Sequence, residues 1–331
     1  MNKYRKEFYM DTHKVQNYMG IKSKEIFGNS FVLNRMTRIL GGAQKHTYLA
    51  ETDNGFCFII YIWDKSTSYF TYNENEDIFS CSSAELFELN NKLMIQHNVL
   101  TPKLYFMDRS KGDQKYEYAF AEYINGTDMD EIISLKSECL PKVLDSLKAS
   151  ITNLHKEKSE FAGQLNRMQS EEFDIIGYSL KLALKNIIYL KEADVSNSKL
   201  YVKISEKLGE LTQGLQKRQE YTFIHGELGP NHVMVDKYDN AYLIDIEGGK
   251  YCDLEEEASF LKIRFSKFFD NLDNGLDPKR MEFYHIGHCL NNLSGAIQLK
   301  QKGYYDLDDV NGMIGYFKGL LRTVLGQQAG D

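Results

Sequence analysis

An α+β fold in two units is what this sequence predicts, and three observations carry the prediction. Strand patterns crowd residues 31–124, and helical patterns dominate the rest of the chain. A length of 331 residues corresponds to about two domains of roughly 150 residues each. A hydrophobic content of 42% is enough to give each unit a buried core. The division falls in the stretch from Glu122 to Gly126, which makes residues 1–124 the first unit and residues 125–331 the second.

The elements follow in order. From Phe31 to Trp63 the runs FVLNRMTRIL, HTYLAET and FCFIIYIW are rich in β-branched and aromatic residues and read as three strands. They are separated by Gly41-Gly42 and by Asp53-Asn54-Gly55, the second of which is a hairpin signal. After a polar stretch from Asn73 to Asp77, Ser82-Ser83 caps a helix over AELFELNNKLMIQHN, with Leu86, Leu89 and Leu93 on one face and Pro102 beyond its end. LYFM and YEYAFAEYI supply two more strands before the turn Asn125-Gly126, so the first unit has five strands and one main helix. Beyond it, Leu140, Val143, Leu144, Leu147, Ile151 and Leu154 recur at helical spacing, as do Leu200, Ile204, Leu208, Leu211 and Leu215, with a further helix from Phe173 to Leu190. VMVD and AYLIDI form one small hairpin, and residues after Glu255 return to helix.

Composition excludes several classes. The longest apolar stretch, Phe56 to Trp63, is eight residues against the ~20 of a membrane-spanning helix. The opening MNKYRKEFYMDTHK alternates charges and lacks the apolar core of a secretory signal, so a cytoplasmic protein is expected. Five scattered cysteines with no C-x-x-C pair fit neither a disulfide framework nor a thiolate metal site. Residues 1–121 hold 15 basic and 14 acidic side chains and residues 122–331 hold 25 and 33. No clustered basic face for nucleic acid follows from that balance. The acidic excess of the second unit favours a cationic small ligand over an anionic one.

The densest chemistry lies in Phe223-Ile-His225-Gly-Glu227-Leu-Gly-Pro-Asn231-His232-Val-Met-Val235 and, ten residues later, Leu243-Ile-Asp245-Ile-Glu247-Gly-Gly249. A histidine, carboxylates and an amide on short turns at strand ends can be aimed into a cleft, as a Mg²⁺–phosphate site requires. The bland alternative is ordinary turns with polar tips. A zinc deaminase is excluded because no P-C-x-x-C follows His225-Gly-Glu227. Neither a Walker A loop nor a G-x-G-x-x-G is present. His285 and His288 share a helix face, but two histidines alone do not make a metal site.

These motifs resemble those of the aminoglycoside phosphotransferase and choline kinase-like family of the protein-kinase-like fold. His225-Gly226-Glu227-Leu228, Val233-Met234-Val235, Ile244-Asp245 and Asp253-Leu254-Glu255 stand where that family has H-G-D-L, an apolar triplet, I-D and D-L-A. Leu154-His155 is similar to its L-H pair, and Arg38 through Gly41-Gly42 to Leu49 to its nucleotide-loop hairpin. The resemblance implies a bilobal α+β fold, with a five-stranded N-lobe and a mostly helical C-lobe carrying a catalytic hairpin. It implies transfer of the γ-phosphate of ATP or GTP to a hydroxyl of a small molecule, with Mg²⁺ or Mn²⁺. His225 and Glu227 would then be catalytic, and Asp245 with His232 or Asn231 would hold metal. Gly41, Gly42, Lys45, Tyr61, Glu85, Glu122, Tyr123 and Ile124 would surround the nucleotide, Glu85 pairing with a strand cation. Asp253 would tie the loop from behind. Three positions depart from the family pattern. Glu227 stands for aspartate, His232 for the metal-binding asparagine with Asn231 one place early, and Tyr61 for the phosphate-pairing lysine or arginine. Lys45 is either the replacement cation or a solvated loop lysine. A degenerate kinase-fold protein that binds a nucleotide, metabolite or partner without turnover is the alternative function.

Overall fold

The computed structural model describes residues 12–39, 45–64, 78–79, 83–112, 115–266, 268–269, 275–304 and 306–327. It opens with helix α1 (Thr12–Phe27), followed by β1 (Leu33–Ile39), β2 (His46–Thr52), β3 (Cys57–Trp63), α2 (Ala84–Gln96), β4 (Leu104–Asp108) and β5 (Glu117–Glu122). The five strands form one antiparallel sheet in the order β1-β2-β3-β5-β4. Gly55, at φ +81, turns the hairpin expected at Asp53-Asn54-Gly55. Ser83 caps α2 by accepting the Leu86 N–H at 3.3 Å.

Both faces of this sheet are covered, which is why β3 is apolar along almost its whole length rather than alternating. On one face Phe58, Ile60 and Ile62 pack with Val15 and Met19 of α1 and with Tyr118 and Phe120. On the other, Ile59, Tyr61 and Trp63 pack with Ala84, Phe87 and Met94 of α2, in the core shared with the rest of the chain. Helix α1 adds a second helix to the one expected in this unit. Its signal was present in Val15, Tyr18, Met19, Ile26 and Phe27, but frequent charges masked the spacing.

Past residues 123–125 the chain forms β6 (Gly126–Asp128), α3 (Met129–Ser134), α4 (Leu140–Leu154), β7 (Lys158–Ser159), β8 (Gly163–Gln164), β9 (Arg167–Met168), α5 (Ile175–Ala193) and α6 (Ser198–Thr212). Then come β10 (Tyr221–Ile224), β11 (Val233–Asp236), β12 (Ala241–Leu243), β13 (Lys250–Cys252), α7 (Leu254–Phe265), α8 (Pro278–Gln301) and α9 (Leu307–Val324). The molecule is thus a bilobal α+β protein with a mostly helical second lobe. That lobe holds more strand than the single hairpin expected: short sheets of order β7-β10-β13-β8-β9 and β12-β11-β6. Strands of two to four residues leave too little pattern for periodicity to register.

The lobes are pinned together close to the turns that follow β10 and β12. Leu243 N–H donates to the Leu100 carbonyl at 2.8 Å, and the Thr101 hydroxyl donates to the Leu243 carbonyl at 2.9 Å. Cys57, Cys139, Cys252 and Cys289 are free thiols. Among the described residues no helix is long and apolar enough to cross a membrane.

Candidate active site

Two loops carry the site, and each is held at both ends. Residues 225–232 run from β10 to β11 and residues 244–249 from β12 to β13. Ile224 pairs with Lys250, and Val233 with Leu243, so the loops leave and re-enter the two sheets side by side. Gly226 turns the first loop at φ +86, and a Cβ there would lie 2.6 Å from the Gly248 carbonyl oxygen. Only glycine permits both the conformation and the approach.

His225 fastens one loop to the other. Its Nε2 lies 3.0 Å from the Ile244 carbonyl oxygen, and its Nδ1 receives the Glu227 N–H at 3.4 Å. A carbonyl only accepts, so Nε2 carries the proton. Burial, and after it the neighbouring His232, lowers the pKa of His225 to about 4, so the ring is neutral with both nitrogens in use. His225 thus ties the two loops together through its ring. From below, the buried Glu257 of α7 accepts the Gly226 N–H at 2.9 Å, and burial pushes its pKa up to about 7. This is the tie expected of Asp253. Asp253 instead takes Arg280 and, at 2.8 Å, the Tyr284 hydroxyl, fixing the start of α7 to α8.

Asp245 sits in the left-handed region, φ 59 and ψ 45, a conformation that non-glycine residues adopt rarely and that concentrates at functional sites. Its Oδ1 is 2.5 Å from Lys45 Nζ and its Oδ2 3.3 Å from His232 Nε2. His232 is oriented by its other nitrogen, since Nδ1 donates to the Glu227 carbonyl at 2.7 Å. Burial acts to raise the Asp245 pKa, but Lys45 and His232 outweigh it and hold the carboxyl well below the usual range. The side chain is still 41% exposed, so the carboxylate faces the cleft.

Lys45, just before β2, resolves the alternative left open by its sequence context. Its side chain is only 9% exposed, and Nζ lies 2.5 Å from both Asp245 Oδ1 and Glu247 Oε1. It is not a solvated loop lysine. The ammonium stands 5.0 Å from the centroid of the Tyr61 ring, within cation–π range. Burial acts to lower the Lys45 pKa, while Asp245 and Glu247 raise it further and keep the group protonated. Glu247 also accepts from Trp63 Nε1 at 3.2 Å. Burial pushes the Tyr61 hydroxyl up to about 12, so it stays neutral at pH 7. Tyr61 thus forms an aromatic floor beneath a cation delivered from the neighbouring strand.

Several expected site residues stand elsewhere. Glu85 turns to Arg109 at 2.8 Å and to Asn166 at 3.0 Å; the carboxylate partner of the cation is Glu247. The contribution of α2 comes from buried Asn90, whose Nδ2 donates to the Ile246 carbonyl at 2.7 Å. Asn231 is exposed and accepts from Arg264 at 2.5 Å, which commits it to α7 and leaves His232 as the side chain facing Asp245. Glu122 gives its N–H to the Lys103 carbonyl at 2.8 Å. Tyr123 and Ile124, just beyond β5, make no backbone–backbone hydrogen bond among the described residues. Gly41 and Gly42 lie outside the described residues. Glu227 is half-buried, and among the described residues nothing donates to its carboxylate.

Asp245 and His232 offer one carboxylate oxygen and one imidazole nitrogen to a divalent cation, a pair that suits Mg²⁺ or Mn²⁺ if phosphate oxygens and water complete the shell. Among the described residues no group of three or more His, Cys, Asp or Glu side chains assembles that could hold a metal by itself. His288 is engaged by the Glu256 carbonyl at 2.9 Å. The residues missed from sequence are Glu247, Trp63, Asn90, Glu257 and Arg264. Only Glu247, two positions after Asp245 and before Gly248-Gly249, had a local signal.

No protein-family model matches the sequence, and no curated protein matches it. Solved structures do. A thermostable mutant of aminoglycoside phosphotransferase APH(4)-Ia, in ternary complex with ADP and hygromycin B, superposes with a TM-score of 0.67 at 12% identity, over 94% of this chain and 98% of that one. Spectinomycin phosphotransferase APH(9)-Ia, in complex with ADP and spectinomycin, gives 0.63 at 12% identity over 93% and 97%. Choline kinase LicA from Streptococcus pneumoniae gives 0.62 at 14% identity over 94% and 99%. The chain has the fold of these small-molecule phosphotransferases.

Proposed function

We propose that the protein transfers the γ-phosphate of ATP or GTP to a hydroxyl of a small molecule, with the nucleotide held largely by residues 1–124 and the acceptor by residues 125–331. One observation supports this above the rest: Lys45, His232 and Asp245 converge on one side of the loop whose Glu227 carboxylate has no donor among the described residues. A purine edge would meet the backbone of Tyr123 and Ile124. Lys45, held between Asp245 and Glu247, would shift part of its charge onto the nucleotide phosphates. Asp245 and His232 would hold a Mg²⁺ or Mn²⁺, which supplies charge neutralisation on those phosphates. Glu227 would orient the acceptor hydroxyl and take its proton as the new O–P bond forms. His225, Gly226 and Glu257 would keep the backbone of the loop that carries Glu227 fixed relative to Asp245. A small-molecule acceptor agrees with the hygromycin B and spectinomycin bound in the similar structures.

The test is nucleotide consumption stimulated by an acceptor from a panel of aminoglycosides and amino-alcohols. Glu227→Gln is expected to lower turnover by about 10²–10⁴-fold while leaving nucleotide affinity nearly unchanged. Unaltered turnover in that variant removes Glu227 from the mechanism. The reading in which nucleotide binds without turnover draws on Lys45 lying on Asp245 Oδ1, and it is upheld if nucleotide binds but no acceptor triggers its consumption.

A further inference from the structure

Gly229 has φ −136 and ψ 169, an extended backbone that any residue adopts, so its missing side chain has another cause. A Cβ at that position would lie 2.6 Å from Nε and 2.9 Å from Nη2 of Arg264. The guanidinium, carried by the last turn of α7, therefore fills the place of a side chain two residues after Glu227 and three before His232. Its Nη2 donates to Asn231 Oδ1 at 2.5 Å. The helix end that carries it is held by the Tyr316 hydroxyl, which donates to the Ile263 carbonyl at 2.9 Å. Asp130 of α3 feels both Arg264 and His232 electrostatically, which puts the guanidinium in the same charged neighbourhood as the metal-facing histidine. Among the described residues the other N–H groups of Arg264 have no partner.

We infer that Arg264 is a catalytic cation, brought to the catalytic loop by α7, that contacts the phosphoryl group during transfer; the inference rests on the phosphotransferase reading above. In that transfer the acceptor oxygen bonds to the γ-phosphorus while the bond from phosphorus to the β–γ bridging oxygen breaks. The nucleoside diphosphate leaves with the electron pair, and the hydroxyl proton passes to Glu227. A guanidinium against Gly229 and Asn231 of the loop that carries Glu227 offers planar donors to the equatorial oxygens, on which charge is spread. The glycine at 229 leaves room for it, and Asn231 holds it in place.

The experiment uses the full chain with ATP and Mg²⁺ or Mn²⁺, with water as the acceptor. It measures release of inorganic phosphate and, separately, the ATP dissociation constant by calorimetry. Arg264→Ala should lower turnover by about 10²-fold, the usual loss when one donor to developing charge is removed, with the dissociation constant changed by less than about threefold. Gly229→Ala, which pushes the guanidinium out without deleting it, should reproduce a large part of that loss. Adding Gly229→Lys to Arg264→Ala should restore part of the rate by returning a cation from the loop itself. Unchanged turnover in Arg264→Ala, or equal loss of ATP affinity and turnover, overturns the role. A wild type that binds no nucleotide overturns it together with the phosphotransferase reading, whereas failure of the Arg264 variants alone leaves that reading intact.

Discussion

The two charged clusters of the candidate site hold their charges in opposite ways. In one cluster Lys45, Asp245, Glu247 and His232 form a chain of ion pairs, with Lys45 and Glu247 buried under Tyr61 and Trp63. In the other, on the loop 225–232, Glu227 receives no donor among the described residues, and Asn231 and Arg264 share a single exposed contact. Buried charges must be paired, because an unpaired one forfeits its hydration with nothing in return. Exposed charges need no partner and stay available. The first cluster is therefore built as a fixed frame and the second as a set of groups with capacity left for a ligand.

The sharpest way to break this contrast is to unpair the frame. Lys45→Met leaves Glu247 buried without its cation, and removing one partner of a buried pair costs roughly 3–5 kcal/mol. Exposure of Asp245 places the expected loss near the lower bound. Lys45→Met with Glu247→Gln should recover most of it, measured as urea midpoints for the single and double variants. Equal stability of Lys45→Met and wild type would show that the frame is not load-sharing.

A second test uses Glu257, which supports the loop 225–232 from beneath. Its pKa of about 7 in the folded protein stands above the ordinary 4.5, so between those values the folded state keeps a proton that the unfolded chain has lost. Stability from this group is thus fully present below pH 4.5 and is lost as pH rises through 7. Glu257→Gln, which can still accept the Gly226 N–H, should stabilise the protein at pH 8 by at most about 3 kcal/mol, with little gain at pH 5. Denaturant midpoints at the two pH values check it, and a gain independent of pH would contradict it.

The smallest effect is expected at Glu85. Its exposed pairing with Arg109 is worth at most about 1 kcal/mol. Glu85→Ala should leave the ATP dissociation constant unchanged in a calorimetric titration. A tenfold loss would return the cation's partner to α2 and dissolve the contrast.

How much of this was legible beforehand depended on how local each signal was. The hairpin at Asp53-Asn54-Gly55, the apolar run of β3 and the leucine spacing of α2, α4 and α6 are written in neighbouring residues, and the structure has them where the sequence put them. Asp245 and His232 were legible because their loops are short motifs. Lys45 was ambiguous because the residues that bury it lie 200 and 202 positions away. Arg264 and Asn90 had no signal at all, since an arginine in an acidic-to-basic helix and an asparagine among leucines look like solvated side chains until the tertiary fold brings the loops to them.

The measurement that bears most directly on the nucleotide frame is a calorimetric titration of ATP with Mg²⁺ into the wild type, Lys45→Met, and Lys45→Met with Tyr61→Lys. If Lys45 has taken over from the strand position that Tyr61 occupies, Lys45→Met should weaken binding by roughly ten- to a hundredfold, the worth of a charge-assisted contact. The added lysine at position 61, beside the same Glu247, should restore most of it. Binding by Lys45→Met as tight as that of the wild type would contradict the account.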